Sequence, residues 1–134
     1  MYNFIFYGIV GSGKGTQVEL LKKYLIEKDG KEIVYAYPGN QYRKIVSQEG
    51  YLNNLVKKEM DAGHLLPDFL TIWVFGNIIT PELTPEKHLI ADGFPRSLGQ
   101  SEAFSQAINF YNRGNVNIIY IRLSKEEATK RMKL

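Results

Sequence analysis

Glycines, a lysine and a hydroxyl are crowded into nine residues near the start of the chain, Gly8-Ile9-Val10-Gly11-Ser12-Gly13-Lys14-Gly15-Thr16. Those types at that spacing suit the binding of a polyphosphate. Glycines let successive backbone N–H groups converge on an oxyanion without Cβ atoms in the way, and a helix starting behind them adds partial positive charge. Lys14 is the candidate to reach the β- and γ-phosphates of a nucleotide, within a cradle formed by the backbone from Gly11 through Ser12, Gly13 and Gly15 to Thr16. The Thr16 hydroxyl is the candidate neighbour of a phosphate-bound Mg²⁺. Many such loops carry Ser or Thr where this chain has Gly15, so here the hydroxyl arrives one residue later. An ordinary strand–turn–helix connection rich in glycine is the plainer alternative, and the flanking elements argue against it.

A second group with chemical potential is Asp92-Gly93-Phe94-Pro95-Arg96. An aspartate at the end of an apolar strand is placed to hold Mg²⁺, usually through water. Arg96 offers a planar guanidinium fork for a phosphate, which a lysine matches less well. Taken alone, Asp-Gly and Pro also suit a surface turn. Beside an upstream phosphate loop, the two segments read as halves of one site.

The elements that must position these groups alternate along the chain. Phe4-Ile5-Phe6-Tyr7 reads as a buried strand, and Val18, Leu21 and Leu25 mark one face of a helix after the loop. The Asp29-Gly30-Lys31 turn leads to a strand at Ile33-Val34-Tyr35-Ala36, and Pro38-Gly39-Asn40 then reads as a break. A polar, helix-tolerant stretch from Gln41 to Met60 is interrupted at Gly50 and ended by Ala62-Gly63. Pro67-Asp68 opens another helix, with Phe69, Leu70 and Trp73 as its apolar face. Leu89-Ile90-Ala91 is a third strand, Ser101 to Phe110 a helix, Val116 to Leu123 a fourth strand, and Ser124 with Glu127 a capping box for a last helix. Strand–helix alternation predicts an α/β fold in three layers, with a parallel sheet of about four strands and helices on both faces. Ligands of such sheets bind beyond the carboxyl ends of the strands, where both glycine loop and Asp92 fall.

Composition narrows the function classes. At 134 residues with 44% hydrophobic and 23% charged content, the sequence suits one globular domain. A net charge of +3 with scattered basic residues suits small polyanions and predicts no nucleic-acid partner. The absence of cysteine excludes disulfides and thiolate metal sites and is compatible with a cytoplasmic location. No apolar run approaches membrane-spanning length, and the chain enters its first strand too soon for a signal peptide. His64 and His88 lie far apart without a third partner, which predicts no metal site for either, and the aromatics are expected mainly in the core.

Together, Gly11 to Gln17 and Asp92 to Arg96 resemble the adenylate kinase family of nucleoside monophosphate kinases, and Met60 to Asp68 is similar to the stretch that closes that family's monophosphate-binding arm. The resemblance covers nearly the whole chain. It implies a P-loop nucleoside triphosphate hydrolase-like core over residues 1–134, with residues 38–67 as the arm. It also implies Mg²⁺-dependent transfer of the ATP γ-phosphoryl group to a nucleoside monophosphate, AMP above others. By resemblance, Lys14, Arg43 and Arg96 are the catalytic cations, Arg43 and Arg96 gripping the acceptor phosphate. Gly39, Leu66, Gly93 and Gln100 line the acceptor site, Gln100 leaning toward adenine, and Arg131 stands on the ATP side. Thr16 and, through water, Asp92 serve the metal.

Two departures bear on that expectation. Pro38-Gly39-Asn40 stands where the family commonly has Thr-Gly-Asp, which removes a hydroxyl and a carboxylate from the acceptor side. Leu134 falls where the family's lid would begin, so the lid and C-terminal elements are expected to be missing. A nucleotide-binding module that is non-catalytic, or active only with a partner, is therefore the alternative, as a monomer or a weak dimer through an open sheet edge.

Overall fold

Parallel strands form the centre of the computed structural model, which describes residues 1–133. The elements in chain order are β1 (Asn3–Gly8), α1 (Lys14–Asp29), β2 (Ile33–Ala36), α2 (Pro38–Val46), α3 (Tyr51–Asp61), α4 (Asp68–Ile79), β3 (His88–Asp92), α5 (Leu98–Phe110), β4 (Val116–Ile121) and α6 (Lys125–Met132). The strands pair all-parallel in the order β2-β3-β1-β4. Register puts Phe6 opposite both Asp92 and Ile119, and Ala36 opposite Ala91, so the strands' carboxyl ends share one edge. That edge carries the loop after β1, the β2–α2 junction and the segment after Asp92.

Alternation along each strand divides the core between the two faces of the sheet. Ile5, Val34, Ala36, Leu89 and Ala91 face one way and pack with Phe75 and Ile79 of α4, Phe104 and Ile108 of α5, and Phe94. Phe6 and Ile90 face the other way, against Val18 and Leu25 of α1. β3 lies between β2 and β1 with helices over both faces, and all five of its residues are buried. Outside the sheet, Val56, Leu66 and Leu70 gather Tyr42, Ile45, Val46 and Met60 into a third cluster that joins α2 and α3 to the start of α4. None of the described helices is long and apolar enough to cross a membrane.

The structure corrects three local expectations. Pro38 does not break the chain but opens α2 as its first residue, where a missing N–H costs nothing. In α4, Leu70 is buried as expected, whereas Phe69 and Trp73 are 71% and 57% exposed; the inner face is Leu70, Thr71, Val74, Phe75 and Ile79. Eight of that helix's twelve residues are large and apolar and they fall on every side of it, so its sequence pattern does not single out the inner face. The aromatics are likewise not confined to the core, since Tyr51, Phe110 and Tyr120 are exposed. β4 ends the strand order and so forms an edge, and Ile118 and Tyr120, on one face of it, are both 66% exposed.

α5 begins three residues earlier than the sequence pattern predicts. Ser97 caps it, its Oγ accepting from the Gln100 N–H at 3.1 Å and donating to Asp68 Oδ1 at 2.8 Å. Ser97→Ala is expected to lower unfolding stability by about 1 kcal/mol, as for other lost N-caps, read as a shifted urea midpoint with unchanged slope.

Candidate active site

The loop between β1 and α1 is shaped by two glycines in the left-handed region, Gly11 at φ 84° and Gly13 at φ 87°. Ser12 N–H donates to the Ile9 carbonyl at 3.0 Å and closes the turn. A Cβ on Gly11 would stand 2.9 Å from the Ala128 carbonyl oxygen of α6, so that helix seats directly on the loop. Gly13 is the N-cap of α1 and supplies no side-chain cap. The first amides of the helix are therefore left for a ligand. They open on a cavity of about 710 Å³ lined by Gly8 to Gly11, Gly13 to Thr16, Tyr37, Arg43 and Arg96.

Lys14 forms an ion pair with Asp92, whose side chain is 2% exposed. Its ammonium has three donors, so two remain for phosphate oxygens. The other Asp92 oxygen accepts the Tyr35 hydroxyl. Burial, and then the hydrogen bond to Asp92, push the Tyr35 phenol well above its ordinary range, so it stays protonated and keeps donating. Lys22 of α1 places its ammonium 3.8 Å from the Tyr35 ring centroid. One carboxylate thus gathers the ends of β2 and β3 and the start of α1.

A second cavity of about 300 Å³ adjoins the first through the shared residues Val10, Tyr37 and Arg96. Its lining includes Gly39, Leu66, Asp92, Gly93 and Gln100. The segment that walls it is held at three points. Phe94 is fully buried, the Tyr7 hydroxyl donates to the Pro95 carbonyl, and the Arg96 N–H donates to Gln100 Oε1 at 2.8 Å. Gly93 takes φ 68°, and a Cβ there would stand 2.7 Å from an Arg96 guanidinium nitrogen, so the guanidinium folds back over that glycine. Gln100 Nε2 donates to Asp68 Oδ1 at 3.1 Å. One amide proton and one lone pair of Gln100 remain for a ligand.

Most of the sequence-predicted residues are brought to these two cavities. Lys14, Gly11, Gly13, Gly15, Thr16 and Arg43 line the first, Gly39, Leu66, Gly93, Gln100 and Asp92 line the second, and Arg96 lines both. Two are not. Ser12 turns its side chain away, its buried Oγ finding no hydrogen-bond partner. Arg131 on exposed α6 pairs with Glu127 at 3.4 Å and lines neither cavity. Neither histidine lines the loop cavity: His64 is exposed, meets Glu59 at 3.0 Å and lines the second cavity, and His88 is buried between the Tyr2 N–H and Asp29. Sequence reasoning missed Tyr35, Tyr37 and Asp68; the first two had a usable signal, their position at the carboxyl end of a parallel strand.

The donor chemistry suits a particular kind of metal binding. No group of three or more His, Cys, Asp or Glu side chains converges among the described residues. Asp92 and the Thr16 hydroxyl are hard oxygen donors, too few to cage an ion. They fit Mg²⁺ that keeps much of its water and is held mainly by substrate phosphates.

The sequence model of the family described as "Adenylate kinase" matches residues 6–134. An adenylate kinase of Dehalococcoides mccartyi strain CBDB1 is 38% identical over 132 residues, covering 98% of this chain and 58% of the relative. Adenylate kinases of Staphylococcus epidermidis and Staphylococcus aureus are 33% and 32% identical, each over 97% of this chain and 57% of their own length. The chain therefore spans less than two thirds of the curated relatives it matches.

Proposed function

This chain belongs to the adenylate kinase family, and from that premise we propose that it serves transfer of the ATP γ-phosphoryl group to a nucleoside monophosphate, with AMP the preferred acceptor. The observation that carries the reading is the pair of adjoining cavities, one floored by an uncapped glycine loop and both lined by Arg96. Phosphoryl transfer asks little covalent work of a protein; it needs two phosphates brought in line and their charge neutralised. In this reading the loop amides and Lys14 hold the donor phosphates. Arg43 and Arg96 grip the acceptor phosphate, and residues 38–67 form the acceptor arm. Thr16 and, through water, Asp92 would hold Mg²⁺, which when bound supplies further neutralisation of the donor phosphates. Gln100 supports adenine, since its free amide proton and lone pair match a purine edge.

A coupled assay with ATP, Mg²⁺ and each of AMP, GMP, CMP, UMP and dTMP tests this, beside calorimetry on the same folded preparation. The expected result is ADP formation with AMP above every other acceptor. Binding of both nucleotides without ADP above background would reject catalysis by this chain, and equal use of all acceptors would reject the role given to Gln100.

A further inference from the structure

Tyr37 stands at the boundary of the two cavities and lines both. It is the N-cap residue of α2, in extended conformation, so its side chain leaves the chain where β2 ends and the arm begins. Two cations of the site come within reach of its ring: Lys14 Nζ is 5.4 Å and Arg43 Cζ 5.6 Å from the ring centroid. Both distances fall within the range of cation–π attraction. The ring is fixed in that place from below, because it packs on Gly39, where an added Cβ would stand 2.6 Å from Tyr37 Cε2. Tyr35 flanks it with ring centroids 5.9 Å apart.

The hydroxyl is as informative as the ring. Arg43 Nη2 donates to the Tyr37 oxygen at 3.4 Å, and among the described residues the phenolic proton has no acceptor. A phenol that accepts from an arginine and has its own proton to give, beside two cations, is complementary to an anionic oxygen. Pro38 brings no hydroxyl to the adjacent position. Tyr37 supplies one from the neighbouring residue.

We propose that Tyr37 is a substrate-facing residue of the acceptor site: its hydroxyl binds the monophosphate's phosphate together with Arg43, and its ring steadies the Arg43 and Lys14 side chains. The proposal rests on the kinase reading of the two cavities. It differs from a packing role, which would leave ligand discrimination untouched.

Calorimetric titrations of the folded chain with AMP, with adenosine, and with a non-hydrolysable ATP analogue plus Mg²⁺ separate these roles. Tyr37→Phe keeps the ring and removes the hydroxyl. It is expected to weaken AMP by about tenfold or more, the effect of one lost hydrogen bond to a charged group, and to leave adenosine and the ATP analogue unchanged. Tyr37→Leu removes both and is expected to weaken AMP further and the ATP analogue as well. The ring-current shift of the Arg43 side chain, read by NMR without nucleotide, is expected to persist in Tyr37→Phe and vanish in Tyr37→Leu. Should Tyr37→Phe bind AMP like the parent, or lose adenosine as much as AMP, the hydroxyl contact is refuted. A parent chain that binds neither nucleotide rejects the kinase reading itself, whereas a parent that binds both beside unaffected variants rejects only the role of Tyr37.

Discussion

Lys14→Ala is expected to remove donor binding and, with it, any transfer, a loss of about two to three orders of magnitude in keeping with deletion of a preorganised charge on a reacting phosphate. The same change should also damage the fold. Asp92 is almost fully buried and would keep only the Tyr35 hydroxyl as partner. Deleting one member of a buried ion pair costs about 3–5 kcal/mol, because the remaining charge is left in a poor solvent. A second substitution separates the two roles. Lys14→Ala with Asp92→Asn has no buried charge to strand, and it is expected to regain most of the melting temperature while donor binding stays lost. Calorimetry with an ATP analogue and thermal melts of the single and double variants provide the readouts. If the double variant binds the analogue, Lys14 is a structural cation for Asp92 and the donor phosphates are held without it.

Much of this site was legible because its parts are local in sequence. Gly8 to Thr16 carry their own geometry in the glycine positions, and Asp92 to Arg96 follow a strand whose burial shows in its composition. Parallel pairing then places both segments at one edge of the sheet, which alternation of strands and helices already requires. What escaped was the non-local part. Nothing in the order of residues says that Tyr35 and Lys14 share one carboxylate across 57 and 78 positions, or that Asp68 ties Gln100 to the start of α4. Arg131 fits the motif by position, yet its helix turns it toward Glu127, a choice made by an i, i+4 pair that the sequence allows but does not compel. Pro38 misled for a related reason: a proline marks either a break or a helix start, and the apolar partners of α2 that decide the matter lie in α3 and α4.

Phe94→Ala joins the core to the site and is the most destabilising single core change expected here. Phe94 has no exposed surface, stacks on Phe75 at 4.3 Å between centroids, and meets Phe104 edge-on at 6.3 Å. Truncation removes the ring from both neighbours and leaves a void that α4 and α5 cannot close, since each is anchored along its length by other buried residues. Such changes cost about 3–5 kcal/mol, which for a chain of this size corresponds to a fall of about 10 °C or more in Tm. Phe94→Leu, which refills much of the space, should cost about 1.5 kcal/mol or less. The consequence for the site follows from where the ring is attached. Gly93 and Arg96 flank it, so a loosened residue 94 leaves the Arg96 guanidinium steered only by the Tyr7 bond to Pro95 and the Gln100 bond to its own N–H. Monophosphate affinity, titrated at a temperature where the variant is still folded, is therefore expected to fall while donor affinity holds, because Lys14 and its loop are seated on α1 and α6 instead. Equal loss at both sites would mean that the two cavities share one mechanical support. Loss at neither would show that the two hydrogen bonds alone suffice to aim Arg96.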